Sequence, residues 1–94
     1  MLAAGKLVDD VINLGKSYGQ EIGGKYAVDV SRIRHADDGS MSVRVKARTG
    51  KLFDGFVNDV TSKLDADFTV ENRKLTDGFY SNEAVLNGKV RSAQ

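Results

Sequence analysis

Gly5-Lys6-Leu7-Val8-Asp9-Asp10-Val11-Ile12-Asn13 returns later in the chain as Gly50-Lys51-Leu52-Phe53-Asp54-Gly55-Phe56-Val57-Asn58, with glycine, lysine, leucine, aspartate and asparagine in the same places. Each copy opens an amphipathic helical pattern, and an extended stretch follows each: Tyr26-Ala27-Val28-Asp29 corresponds to Phe68-Thr69-Val70-Glu71. Turn signals then match, Asp38-Gly39 with Asp77-Gly78, and so do Val43 and Val85. A helix-strand-strand unit used twice is the reading that accounts for all of these at once. The boundaries it implies are residues 1–48 and 49–94 of one domain.

The first helix carries Ala4, Leu7, Val8, Val11, Leu14, Tyr18 and Ile22 at spacings of three and four, a single apolar stripe. Lys6, Asp9, Asp10, Asn13, Lys16, Ser17 and Gln20 fill the other side, and Gly23-Gly24 reads as the helix stop. Tyr26, Val28 and Val30 then begin a strand, and Met41, Val43, Val45 and Ala47 alternate with Ser42, Arg44, Lys46 and Arg48 in the next. A four-residue loop Ala36-Asp37-Asp38-Gly39, closed by His35 opposite Ser40, places Val30 beside Val45 and Val28 beside Ala47. The same register sets Asp29 against Lys46, a favourable cross-strand charge pair.

Thr49 is suited to cap the second helix, whose stripe is Leu52, Phe53, Phe56, Val57, Val60 and Leu64. Beyond Asp65 the chain reads as strand again, with turn signals at Asp77-Gly78 and Asn87-Gly88. Two alternatives stay open there, one long hairpin or a three-strand meander. Two helices and two hairpins, each with one apolar side, are best satisfied by laying both helices on one face of an antiparallel sheet of about four strands. The expected fold is therefore α+β, a two-layer sandwich of order αββαββ. At the level of topology this duplication resembles small bacterial and phage modules, an analogy that carries no residue with it.

Composition limits the chemistry. Without cysteine, neither a disulfide frame nor a thiolate metal site is available, and with a single histidine no zinc or transition-metal ligand set is spaced along the chain. No cofactor is implied. Fourteen basic against thirteen acidic residues give a net charge of +1, with no bulk pull toward nucleic acid or anionic membranes. The apolar run at the start is broken by Lys6, Asp9 and Asp10, unlike a signal peptide, and no run reaches the roughly 18 apolar residues of a spanning helix. A soluble, cytoplasmic protein with no membrane role is expected.

His35 stands beside Asp37, Asp38 and Ser40, residue types that serve as base, acid and nucleophile, but turn chemistry explains the stretch without catalysis. Gly15-Lys16-Ser17 lacks the first glycine of a phosphate loop, and Asp65-x-Asp67 has Val70 where a calcium loop needs glycine. No catalytic residue is assigned. Arg32, Arg34, Arg44, Lys46 and Arg48 gather on the first hairpin, and Arg44, Lys46 and Arg48 recur at about 6–7 Å, close to the phosphate spacing of a nucleic-acid strand. Solvated charge that guards a strand edge is the plainer account. Leu75, Phe79 and Tyr80 fit neither helix stripe nor strand alternation, and together would make an apolar protein interface. The leading expectation is a non-enzymatic protein-interaction module, a small inhibitor or an assembly subunit of bacterial or phage type, whose partner is another protein or a second copy. A phosphate-backbone binder is the alternative.

Overall fold

The first apolar stripe folds into α1, Ala4–Tyr18, which buries Ala4, Leu7, Val8, Val11 and Gly15. A computed structural model describes residues 4–19 and 21–91; the expectations for Gln20 and for the apolar run over residues 1–3 fall outside that range. The helix stops one turn earlier than the stripe suggests. Glu21–Ile22 (β1) pairs with Lys25–Tyr26 (β2), and Gly23 and Gly24 take φ of 57° and 82° between them. Positive φ at both central residues is what a tight two-residue hairpin turn requires. Gly23-Gly24 is thus a hairpin turn and not a helix cap, and Tyr26 belongs to this small hairpin, 36% exposed, not to the inward row of the next strand.

Two longer strands follow, β3 (Val28–His35) and β4 (Ser40–Ala47). Val28 pairs with Ala47, Asp29 with Lys46 and Val30 with Val45, as the alternation and the charge pair require. Between Arg32 and Arg34 the register shifts, leaving Ile33 as an extra residue, so His35 meets Met41 rather than Ser40. Ala36 N donates to Ser40 O at 2.9 Å, which shortens the loop to Asp37-Asp38-Gly39.

Helix α2 (Gly50–Lys63) begins where Thr49, in extended conformation, accepts a hydrogen bond on its hydroxyl from Leu52 N at 3.1 Å. It buries Phe53, Phe56 and Val60, each 45 positions after Val8, Val11 and Gly15. The chain closes with β5 (Ala66–Leu75) and β6 (Asn82–Val90), one long hairpin. Asn87-Gly88 is no turn; it lies inside β6, where Gly88 pairs with both Met41 and Phe68. A Cβ on Gly88 would stand 2.7 Å from Phe68 Cε1 and 2.9 Å from Met41 Sδ, so the glycine serves side-chain packing.

The larger sheet is antiparallel throughout, in the order β3-β4-β6-β5. Met41, Val43, Val45 and Ala47 are wholly buried and pair with Gly88, Leu86, Ala84 and Asn82 of β6. Val43 therefore sits against Leu86 on the buried face, while Val85, matched to Val43 by sequence, points the opposite way opposite Arg44. One continuous core joins Val8, Val11, Phe53, Phe56 and Val60 of the helices to Val28, Met41, Val43, Val45 and Leu86 of the sheet. Two helices and a four-stranded antiparallel sheet make the domain α+β.

Candidate functional site

On the face of β4 away from the core, Ser42, Arg44 and Lys46 oppose Asn87, Val85 and Glu83. This face is a mixed network. Ser42 Oγ donates to Asn87 Oδ1 at 2.5 Å, and Asn87 Nδ2 donates to Glu71 Oε1 at 2.9 Å, a polar chain crossing three strands. Glu83 Oε2 receives Arg44 Nη1 at 3.2 Å and lies 3.9 Å from Lys74 Nζ.

The five cations of the first hairpin do not share one direction. Arg44 and Lys46 lie on the polar face, interleaved with Asp29 and Glu83. Arg32 pairs with Val43 on the other face, and its Nη2 donates to Asp9 Oδ1 of α1 at 2.7 Å. Arg34 Nη1 donates to Ser40 Oγ at 3.2 Å, and Arg48, past the end of β4, places its guanidinium 4.5 Å from the centre of the Phe79 ring. Alternation put three cations on one strand, but the bulge at Ile33 and the end of β4 divide the set.

His35 ends β3, and in the turn beyond it Asp38 and Ser40 bond to each other. Asp38 Oδ1 accepts from both Ser40 Oγ, at 2.6 Å, and Ser40 N, at 2.9 Å. Those two bonds hold the exposed Asp38 carboxyl below its ordinary range. His35 Nδ1 instead faces Arg32 Nη1 at 3.2 Å. Among the described residues no group of three histidine, cysteine, aspartate or glutamate side chains is placed to hold a metal ion, and no helix is long and apolar enough to cross a membrane.

At the end of the second hairpin, Phe79 and Tyr80 pack edge to face with centroids 4.9 Å apart. Tyr80 Oη donates to the carbonyl of Tyr26 at 2.7 Å, and burial, then the charge of Asp29, raises its phenol above the ordinary range. Thr76 N donates to Ser81 O at 2.9 Å within the turn, Ser81 Oγ donates to Arg48 O at 2.7 Å, and Tyr80 reaches Tyr26, so the turn is fastened to the segment between β4 and α2 and to β2. Phe79 and Tyr80 are half-buried there. Leu75 is not: it is 79% exposed, the most exposed large apolar side chain among the described residues.

Leu75 ends β5, an edge strand exposed at every position from Thr69 to Leu75. Val70 is 42% exposed on the same strand; alternation had assigned it only to a strand, and its position at the uncovered end of the sheet marks it out now. The register of β5 on β6 shifts between Glu71 and Lys74, with Asn72 at φ 57°. Arg73 anchors this bulge to α2: Nη1 donates to Asp54 Oδ1 at 2.8 Å, Nε and Nη2 to Asn82 Oδ1 at 3.2 and 3.0 Å, and the guanidinium lies 4.2 Å from the Phe53 ring centre. The edge is therefore held in shape while its side chains face solvent. A shallow groove of about 460 Å³ beside the bulge is lined by Arg44, Asn72, Arg73, Lys74 and Glu83.

No protein family, curated protein or solved structure matches this chain.

Proposed function

We propose that the chain is a non-enzymatic protein-interaction module that offers the outer edge of β5 to a partner, as a docking or assembly subunit. The exposure of Leu75, with Val70 five residues before it on the same uncovered strand, carries this reading. An edge strand presents unpaired backbone donors and acceptors, and an apolar side chain left in water beside them favours the addition of another strand. Phe79 and Tyr80 are packed away from that edge: Tyr80 Oη donates to Tyr26 O, and Lys25 and Arg48 lie 5.2 and 4.5 Å from the Phe79 ring, so the edge itself is left to Val70 and Leu75.

A two-layer frame supports such a role. In this reading both helices cover one face of the sheet, and the αββ unit is duplicated about an axis between β4 and β6, consistent with the strand order β3-β4-β6-β5 and with helix positions buried 45 residues apart. The two edges are then equivalent strands, β3 and β5.

Cross-linked capture from the cells that make the protein tests the reading. Substitution of Leu75→Glu should abolish capture of a protein partner, and Arg44→Ala, Lys46→Ala and Arg48→Ala together should leave it intact. Loss in the triple variant alone, with recovery of DNA or RNA whose binding falls steeply with salt, would replace it with phosphate-backbone binding.

A further inference from the structure

We propose that two copies of the chain pair antiparallel along β5, joining their sheets into one eight-stranded sheet about a twofold axis that passes between Asn72 and Arg73. This rests on the protein-interaction reading and names a second copy as the partner. The argument is that β5 is complementary to itself in one register. With Val70 opposite Leu75 of the second copy, Glu71 falls opposite Lys74, and the twofold axis repeats both pairs. An exposed apolar residue meets an exposed apolar residue, and a carboxylate meets an ammonium.

The bulge is what makes this register consistent. Val70 and Leu75 are separated by an odd number of positions, so in a regular strand they would point to opposite faces. The extra residue between Glu71 and Lys74 corrects the parity: Val70 pairs with Leu86 and Leu75 with Asn82, both on the core face, while Glu71 and Lys74 pair with Val85 and Glu83 on the other. A bulge usually guards an edge against pairing, and here it removes Asn72 and Arg73 from any new ladder. What remains is Thr69 to Glu71 of one copy against Lys74 to Thr76 of the other, twice. Such a short contact predicts a weak, concentration-dependent dimer. The opposite edge is less suited, because α1 packs against β3 and only Ile33 stands out there, at 45% exposure.

Glu71 and Lys74 are both exposed, so exchanging their charges is compatible with folding, which circular dichroism would check. Sedimentation equilibrium of the full chain from about 10 µM to about 1 mM should show monomer passing to dimer. Glu71→Lys alone and Lys74→Glu alone should each weaken the dimer about threefold to thirtyfold, and the two together should restore it. Because the chain has no cysteine, Val70→Cys with Leu75→Cys gives an independent reading: mild oxidation should yield a covalent dimer. A monomeric mass throughout the series, a dimer indifferent to either single exchange, or one that the double exchange fails to restore would overturn the self-pairing. The capture experiment with Leu75→Glu decides the broader protein-interaction reading separately, since a different protein bound at the same edge would survive the loss of the dimer.

Discussion

Tyr18 Oη stands 2.5 Å from Asp59 Oδ2 and 2.8 Å from the carbonyl oxygen of Gly55, so one phenol of α1 bridges to two turns of α2. Its ring meets Phe56 edge to face at 5.7 Å, which extends the contact into the core. Burial first, then the hydrogen bond to Asp59 and its charge, push the Tyr18 phenol up to about 12. The proton is thus retained in the folded chain at pH values where the unfolded chain gives it up.

The first prediction concerns that proton. A folded-state value raised above the unfolded one contributes stability that is complete below about pH 10 and is lost as pH rises toward about 12. Tyr18→Phe should lower stability by about 1 kcal/mol at neutral pH and flatten the alkaline decline. Urea unfolding between neutral and alkaline pH measures both; equal slopes for the variant and the parent would count against the bridge.

Gly88→Ala should destabilise by about 1–3 kcal/mol, because its methyl group would enter the space of Phe68 and Met41. Phe68→Ala in the same chain should recover part of that loss. Chemical denaturation of the two single variants and the double variant supplies the cycle, and additive losses would contradict the contact.

Thr49→Ala should cost about 1 kcal/mol, since Leu52 N loses its acceptor at the start of α2, whereas Thr49→Ser should be nearly neutral. Thermal melts distinguish the two.

Arg73→Lys should fail to replace arginine. Asn82 is 2% exposed and its side-chain oxygen accepts only from the Arg73 fork, while Arg73 also binds Asp54; an ammonium cannot reproduce that geometry. We expect a loss of about 1–3 kcal/mol for Arg73→Lys, similar to that for Arg73→Ala. A lysine variant as stable as the parent would show that charge, not the fork, matters.

Arg44→Ala, Lys46→Ala and Arg48→Ala together should leave nucleic-acid affinity weak and unchanged, because Glu83 and Asp29 lie among these cations. Fluorescence anisotropy with labelled DNA and RNA at physiological salt checks this. Submicromolar binding lost in the triple variant would reverse the preference between the two functions.

Much of the frame was legible from local pattern. The apolar rows of both helices, the Thr49 cap and the register of Val28, Asp29 and Val30 on β4 follow from periodicity and one charge pair, which act between near neighbours. The errors share a cause. Gly23-Gly24 reads as a helix stop, and Asn87-Gly88 as a turn in one of the two alternatives for the last segment, because glycine signals only that a side chain is unwelcome, for conformational or for steric reasons. Positive φ decided the first case, and the ring of Phe68 decided the second. Of the candidate site, Leu75 was identified by fitting no pattern, whereas Val70 fitted one and so drew no notice.

By itself the sequence determined the two amphipathic helices, the first long hairpin, the apolar row Met41, Val43, Val45 and Ala47 of β4, and that cysteine chemistry is absent, because these depend on residue type and spacing of three, four or two. Only the tertiary structure decided that β4 lies beside β6, that Arg32 turns to Asp9 while Arg44 turns to Glu83, and that β5 is left at an edge with Leu75 in water. Those outcomes depend on pairings between residues far apart in the chain, and on one-residue bulges that reverse which face a side chain takes. Such choices are made by the joint packing of all elements, and no local window of sequence contains them.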